Sequence, residues 1–251
     1  MVVRIGRGPA VLGDATKEVA VASWLRDAGL PVTEPTSHKQ PIMVRDRPVT
    51  FWKLIDDGGI KATVSDLARV LRELHRLHVP DDLPLPQLDI FGRVSARIKA
   101  STDLEEEERE FLSRRLNQLR QDYTELNFPL PRSAVHGDAH QSNLIQRPDG
   151  RVILIDLERF AYGPPESDLA VTATEHLVGW HTDAEYASFC DVYGFDVTQW
   201  DGFPVIRAIN ELKMTTWLMQ NVRESDRVAS EFRTRLTSLH DPSAPREWQP
   251  F

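Results

Sequence analysis

A polar segment enclosed by strand-like runs most constrains how this chain folds. Residues 136–143 (HGDAHQSN) follow the apolar pair Ala134-Val135 and precede the strand-like run at 144–146 (LIQ). The turn at 148–150 (PDG) joins that run to the apolar residues 152–155, a pattern that predicts a β-hairpin. The hairpin brings Asn143, just before its first strand, beside Asp156, just after its second. The sequence therefore predicts a polar loop held by β structure, with an amide and a carboxylate side by side.

The residue types in this loop indicate two chemistries. The amide oxygen of Asn143 and the carboxylate of Asp156 are hard oxygen ligands of the kind that Mg²⁺ takes. Asp138 lies on the same loop, where its carboxylate could accept the proton of a substrate hydroxyl. Alternatively, His136, Asp138 and His140 alternate along the chain and could form the metal centre of a metallohydrolase. That alternative leaves Asn143 and Asp156 unexplained.

The loop resembles the catalytic loop of protein kinases, in which Asp-x-x-x-x-Asn follows His-Arg and a second metal-binding Asp lies past a hairpin. Here His-Gly-Asp replaces His-Arg-Asp, and residues 155–158 (IDLE) stand in place of Asp-Phe-Gly. These substitutions are similar to the aminoglycoside phosphotransferase family, kinase-like enzymes that phosphorylate small molecules. Residues 163–170 (GPPESDLA) are similar to the family's Gly-x-Pro-x-x-Asp-Leu-Ala segment. The resemblance implies an α+β, two-lobed protein-kinase-like fold.

The resemblance also implies roles for the loop residues. Asp138 would be the catalytic base, and His136 would order the loop. Asn143 and Asp156 would hold Mg²⁺ on the phosphates of ATP or GTP. Asp168 would brace the loop from below through its backbone.

The nucleotide side of the site is implied by residues nearer the N-terminus. Arg4 and Glu18 match the basic strand residue that contacts the phosphates and the helix glutamate that pairs with it. Phe51, Trp52, Lys53 and Leu54 (51–54) correspond to the hinge that binds adenine through backbone groups. Trp52 has two open interpretations, stacking on the nucleotide or packing in the core.

The acceptor side is predicted by position only. Glu158, Asn210, Glu211 and Trp217 are candidate acceptor-site residues, although helical spacing also suits Trp217 to the core. The implied reaction moves the γ-phosphate of ATP or GTP to a hydroxyl of a small molecule, such as an aminoglycoside or another antibiotic, which suggests a role in antibiotic resistance. The alternative is a nucleotide-binding pseudoenzyme without turnover.

The element pattern predicts two lobes. Residues 1–58 combine strand-like and helical patterns and are expected to form the nucleotide-binding lobe. Only three residues precede Arg4, so this lobe is expected to lack the upstream strands and the phosphate-covering loop of related enzymes. Residues 59–251, with a helix capped by Ser65 and a long helix over 102–126, are expected to form a mostly helical C-terminal lobe.

Composition limits the partners and the compartment. The 251 residues include 30 Lys and Arg against 38 Asp and Glu, and the resulting charge of −8 argues against nonspecific nucleic-acid binding. No apolar run approaches the roughly 18 residues of a membrane span. The single cysteine, Cys190, fits a reducing cytoplasm. We therefore expect a cytoplasmic protein whose partner is a small molecule, with its oligomeric state left open.

Overall fold

The computed structural model describes residues 1–241 and 243–251, which form two compact units. The first unit contains Met1–Leu88, Pro131–Asp168 and Ser188–Gly194. The second contains Asp89–Leu130, Leu169–Ala187 and Phe195–Phe251. The lobe boundary predicted near residue 58 stays a prediction.

The described residues contain both strands and helices. The strands are β1 (Val2–Ile5), β2 (Ile42–Val44), β3 (Arg47–Trp52), β4 (Ser133–Val135), β5 (Leu144–Gln146), β6 (Val152–Leu154) and β7 (Ala161–Gly163). The α-helices are α1 (Leu12–Asp27), α2 (Val64–Leu74), α3 (Val94–Ala100), α4 (Glu106–Thr124), α5 (Glu166–Leu177), α6 (Asp183–Tyr193), α7 (Phe203–Leu218) and α8 (Asp226–His240).

An antiparallel sheet in the order β1-β3-β2 forms the N-terminal part of the first unit. Helix α1 contacts β3 and buries Val21 and Leu25 completely. Trp52, at the end of β3, is only 3% exposed, and its indole N–H donates to the hydroxyl of Thr50. The stacking interpretation of Trp52 is therefore wrong, because its ring is part of the core.

Two short antiparallel ladders frame the polar loop. β4 pairs with β7, and β5 pairs with β6 in the register Leu144 to Leu154. The predicted hairpin is thus confirmed. The backbone N–H of Ile155 donates to the carbonyl of Asn143 at 3.0 Å, so the ladder places the residue before β5 directly beside the segment after β6.

Helix α2 is an amphipathic helix that buries its apolar stripe, including Leu67, Leu71 and Leu74, in the first unit. It begins two residues earlier than the sequence suggested. Its N-cap is Thr63 rather than Ser65, since the Thr63 hydroxyl accepts from the N–H of Asp66 and the Asp66 carboxylate accepts from the N–H of Thr63. This reciprocal capping box satisfies two N–H groups that a helix start leaves unpaired.

The second unit is helical, with α7 in contact with α3, α4 and α8. Helix α3 is a short element that the sequence did not predict, and α4 begins at Glu106 rather than at 102. The C-terminal segment folds back on α8: Trp248 is 2% exposed, and its indole N–H donates to the hydroxyl of Ser238. Among the described residues, no helix has the length and apolar character that crossing a membrane requires.

We predict that Thr63→Ala lowers the free energy of unfolding by about 1 kcal/mol, because the N–H of Asp66 loses its acceptor at the start of α2. Urea unfolding followed by circular dichroism measures the change. Thr63→Ser keeps the hydroxyl and should unfold like the unaltered protein. Equal midpoints for the alanine variant and the serine variant would contradict the assignment of the cap.

Candidate active site

The carboxylate of Asp168 holds the polar loop by its backbone. One oxygen accepts from the N–H of His136 at 2.7 Å, and the other accepts from the N–H of Gly137 at 2.9 Å. Asp168 is only 1% exposed. Burial alone would raise the pKa of Asp168, but the hydrogen bond and charge of His75 and the contacts of His136 outweigh burial and hold the pKa below its usual value. The carboxylate therefore stays ionised, in the position predicted for a brace.

His75 is a partner of this brace that the sequence did not indicate. It follows α2 directly, and its Nε2 lies 3.1 Å from the Asp168 carboxylate. A carboxylate only accepts hydrogen bonds, so Nε2 carries the proton. The Nδ1 of the same ring forms a hydrogen bond with the hydroxyl of Tyr193 at 2.9 Å. Burial, together with the charge of Asp168, raises the pKa of Tyr193 well above its ordinary value, so this hydroxyl stays protonated.

Gly137 and His136 lie close to the backbone of the segment that follows β6. Gly137 has a φ of 79°, and a Cβ at this position would lie 2.5 Å from the carbonyl oxygen of Arg159, so glycine is required. The Nε2 of His136 lies 2.9 Å from the carbonyl oxygen of Ile155 and must donate to it. His136 thus ties the loop to the segment that carries Asp156, which agrees with an ordering role.

Asp138 presents its carboxylate at the half-exposed tip of the loop. The Nε of Arg159 lies 3.8 Å from one of its oxygens. Arg159 was not predicted as a site residue from the sequence. Its position three residues after Asp156 could have indicated this contact. A single 3₁₀ turn over Leu157–Arg159 brings the side chain of Arg159 back to the loop.

Asn143 and Asp156 lie beside each other across the hairpin and have oxygens available for a metal. The amide nitrogen of Asn143 donates to the carbonyl of Asp138 at 2.8 Å, which turns its Oδ1 the other way, and within the described residues Oδ1 accepts no hydrogen bond. Oδ1 of Asp156 is buried and has no hydrogen-bond donor in the described part of the chain. Asp156 has a φ of 60° and a ψ of 63°, a left-handed conformation that is uncommon for aspartate.

Arg4 connects the sheet and helix α1 to the two residues predicted as metal ligands. Its guanidinium forms an ion pair with Glu18 of α1, and its NH2 lies 3.6 Å from Oδ1 of Asp156. Burial raises the pKa of Glu18 despite the opposing charge of Arg4, and the negative charge of Asp156 adds to the rise. The structure thus brings the two predicted phosphate-side residues together with Asp156.

In the segment predicted as a hinge, some backbone groups form hydrogen bonds with other backbone groups of the protein. The carbonyl of Phe51 accepts from the N–H of Thr36, and the N–H of Lys53 donates to the carbonyl of Glu34, both at 2.8 Å. Leu54 follows the end of β3 and is 70% exposed. Leu54 is therefore an exposed residue just beyond the strand, whereas Trp52 is buried.

Glu158 lies exposed in the turn after Asp156. The Nζ of Lys17 donates to the Glu158 carbonyl at 2.7 Å and so fixes this turn against α1. Burial lowers the pKa of Lys17, while Asp14 and Glu158 oppose that change by their charge. Lys17, like His75 and Arg159, makes a contact that the sequence did not predict.

The other predicted acceptor residues lie in the second unit. Glu211 is 4% exposed, and one of its oxygens pairs with Arg207 at 2.7 Å and with Arg246 at 3.0 Å. Asn210 is equally buried, and its amide faces the hydroxyl of Thr174. Burial and internal partners indicate that these two residues stabilise the packing of α7. Trp217 is 41% exposed and stays a prediction.

The structure does not support the metallohydrolase alternative. No group of three or more His, Cys, Asp and Glu side chains among residues 1–241 and 243–251 is arranged to hold a metal ion. His136 donates its Nε2–H to a backbone carbonyl, and the Nε2 of His140 lies 3.1 Å from the amide nitrogen of Asn143. The alternating histidines therefore serve the loop.

Comparison with known proteins decides the family. The family model described as the phosphotransferase enzyme family matches residues 1–205. This chain belongs to that family. The family predicted from the loop motif is confirmed, whereas no curated protein sequence matches the chain.

Solved structures show that this family member has the predicted α+β, two-lobed protein-kinase-like fold. An amicoumacin kinase, hAmiN, in complex with AMP-PNP, Ca²⁺ and amicoumacin, has a TM-score of 0.69 at 13% identity, over 98% of this chain and 83% of that one. The aminoglycoside phosphotransferase APH(3'')-Id of Streptomyces rimosus, in complex with ADP and streptomycin, has a TM-score of 0.57 at 19% identity, over 84% and 85%. The choline kinase LicA of Streptococcus pneumoniae has a TM-score of 0.61 at 18% identity, over 95% and 85%.

We predict that Asp168→Asn lowers the free energy of unfolding by about 3 kcal/mol at neutral pH, because a buried, hydrogen-bonded charge is lost. The folded pKa of Asp168 lies below its unfolded value of about 3.9, so its contribution is present above that pH and is lost as the pH falls through the folded pKa. Urea unfolding at a series of pH values measures the difference between the two proteins, which should shrink below about pH 4.

Asp183→Asn is the surface control for this experiment, since the Asp183 side chain is fully exposed and lies 3.7 Å from His176. It should change the free energy of unfolding by no more than about 0.5 kcal/mol. A destabilisation by Asp168→Asn that is the same at all pH values would contradict a role for the ionised carboxylate.

Proposed function

We propose that this chain is a kinase that transfers the γ-phosphate of ATP or GTP to a hydroxyl group of a small molecule. One observation carries the proposal: the first unit places Asp138, Asn143 and Asp156 around one loop, with the Arg4–Glu18 pair reaching Asp156. Phosphoryl transfer needs little covalent participation by the protein, since its loose transition state is served by positioning and charge neutralisation. This cluster supplies both.

Asn143 and Asp156 are the residues that would hold Mg²⁺. The residues fit the ion, because Mg²⁺ takes carboxylate and amide oxygens together with phosphate oxygens and water. The buried Oδ1 of Asp156, which has no hydrogen-bond donor in the described part of the chain, supports this assignment. When bound, the ion would neutralise charge on the nucleotide phosphates.

Arg4 would contact the nucleotide phosphates from the strand side. Its guanidinium is positioned by Glu18 and lies near Asp156, so the same side chain would neutralise phosphate charge and orient the metal ligand. A guanidinium presents its donors in a planar fork that matches phosphate oxygens. We assign the nucleobase to the segment at Leu54, which is exposed just after β3.

Asp138 would accept the proton of the acceptor hydroxyl. The nearby guanidinium of Arg159 would keep its carboxylate turned toward the loop, and the hydrogen bond from Asn143 to the Asp138 carbonyl would fix its backbone. Arg159 is therefore a positioning residue for the base and a second source of positive charge beside the transferred group.

The acceptor would be a hydroxylated small molecule. Amicoumacin and streptomycin are present in the complexes of two similar structures, and a third is a choline kinase, so an antibiotic or an amino alcohol is the class to test first. The exposed Glu158 beside Asp156 is a position where a cationic acceptor group would bind. If the acceptor is an antibiotic, the protein would contribute to resistance.

We predict that γ-labelled ATP or GTP with Mg²⁺ transfers label to a member of a panel of hydroxylated antibiotics and amino alcohols. Asp138→Asn should lower kcat at least about 100-fold, because the base is lost, while nucleotide affinity stays similar. Asp149→Asn, in the exposed hairpin turn, is the control and should keep full activity. Nucleotide binding without transfer to any acceptor would instead favour a pseudoenzyme, and unchanged kcat in Asp138→Asn would rule out this base.

We predict that Asp156→Ala weakens the binding of Mg²⁺ with an ATP analogue at least about tenfold, because a carboxylate ligand is removed. Calorimetric titrations with and without Mg²⁺ separate the metal-dependent part of the affinity. Asp149→Asn serves again as the control with an intact site. If the Mg²⁺-dependent gain in affinity survives in Asp156→Ala, the metal assignment is wrong, whatever the acceptor.

A further inference from the structure

The turn after Asp156 follows a segment whose backbone is held by the polar loop. The N–H of Ile155 donates to the carbonyl of Asn143 at 3.0 Å, and the carbonyl of Ile155 accepts from Nε2 of His136 at 2.9 Å. These hydrogen bonds hold the chain up to the residue before Asp156. The 3₁₀ turn Leu157–Arg159, which comes next, is held by other contacts.

Helix α1 makes two contacts with this turn and the residue after it. The Nζ of Lys17 donates to the carbonyl of Glu158, the middle residue of the turn, at 2.7 Å. About two helical turns further along α1, the ring of Trp24 meets the ring of Phe160 edge to face, with centroids 6.2 Å apart. An aromatic contact and a hydrogen bond therefore tie this segment to α1, and Lys17 supplies the hydrogen bond.

The backbone conformation of Asp156 depends on how this turn is held. Asp156 has a φ of 60° and a ψ of 63°, and a residue other than glycine keeps such a left-handed conformation only where its surroundings impose it. The turn also carries Arg159, whose Nε lies 3.8 Å from an oxygen of Asp138. One short segment thus sets the position of a predicted metal ligand and of the cation beside the predicted base.

The ion pair of Arg4 acts at a different point from the contact of Lys17. The NH2 of Arg4 lies 3.6 Å from Oδ1 of Asp156, which is too long for a hydrogen bond. Oδ1 is also the oxygen that has no hydrogen-bond donor among the described residues. Arg4 therefore attracts the carboxylate by charge, whereas Lys17 fixes the backbone that carries it.

We propose that Lys17 is a positioning residue for phosphoryl transfer. Its hydrogen bond to the Glu158 carbonyl holds Asp156 in the left-handed conformation that keeps its carboxylate beside Asn143. This role rests on the proposed function, in which Asn143 and Asp156 bind Mg²⁺. Lys17 acts through the backbone and does not contact the reacting atoms, so the role requires a long side chain that ends in an N–H donor.

Hydrogen–deuterium exchange of the nucleotide-free protein tests the contact itself. Lys17→Met removes the donor and keeps a long side chain, and it should speed exchange in peptides covering residues 155–160 at least about fivefold, the factor that corresponds to one net hydrogen bond. Lys17→Arg keeps a donor and should restore slow exchange. Lys39→Met, the same change at an exposed lysine of the first unit, is the matched control and should leave these peptides unchanged.

Calorimetric titration with a non-hydrolysable ATP analogue tests the consequence for the site. The ratio of the affinities with and without Mg²⁺ gives the metal-dependent gain, and no acceptor is needed. Lys17→Met should lower this gain at least about fivefold, because one hydrogen bond no longer holds Asp156 ready for the ion. The affinity without Mg²⁺ should stay unchanged, and Lys17→Arg should recover the gain. A merely structural role for Lys17 would instead lower both affinities together.

Four results would overturn the proposal: unchanged exchange in Lys17→Met, an unchanged metal-dependent gain in that variant, equal loss of both affinities, or effects as large in Lys39→Met. Lys17→Gln, whose side chain is too short to reach the carbonyl, gives the same comparison if Lys17→Met folds poorly. If the unaltered protein shows no Mg²⁺-dependent binding, the proposed function fails and the role of Lys17 fails with it. A gain that is present in the unaltered protein and kept in Lys17→Met refutes the role of Lys17 alone.

Discussion

The carboxylate of Asp168 is buried in the first unit and accepts hydrogen bonds from two successive backbone N–H groups, those of His136 and Gly137. An ionised group in such surroundings is stable only if its partners satisfy it. His75 supplies a further donor, and Tyr193 fixes the ring of His75 in turn. Because Asp168 binds backbone N–H groups, it fixes the conformation of the loop and leaves the side chains of Asp138 and Asn143 unengaged by this contact.

The conformation of the loop determines which acidic and basic side chains lie next to each other. Asp138 and Asp156 would repel the phosphates of a nucleotide, and they are useful only beside cations. Arg4 lies near Asp156, and Arg159 lies near Asp138. Each proposed acidic role is thus matched by a guanidinium from another segment of the first unit, and Glu18 positions one of the two. Bound Mg²⁺ would complete the neutralisation.

Most of the correct predictions came from local sequence patterns. Asn143 and Asp156 follow from the hairpin, since turn residues and strand period determine which residues face each other. The position of Asp168 followed from the family motif. His75 and Arg159 were missed because their partners are distant in sequence or lie across a single turn, and periodicity does not identify such partners. Trp52 was ambiguous because an aromatic residue at a strand end suits a core and a ligand equally.

The central proposal is that Asn143 and Asp156 would hold a metal ion on the nucleotide phosphates, near Asp138. A crystal structure with Mg²⁺ and a non-hydrolysable ATP analogue tests it most directly. We expect a metal ion held by Oδ1 of Asn143 and by the carboxylate of Asp156, with the terminal phosphate near Asp138. A nucleotide bound elsewhere, or a metal ion held by other side chains, would contradict it.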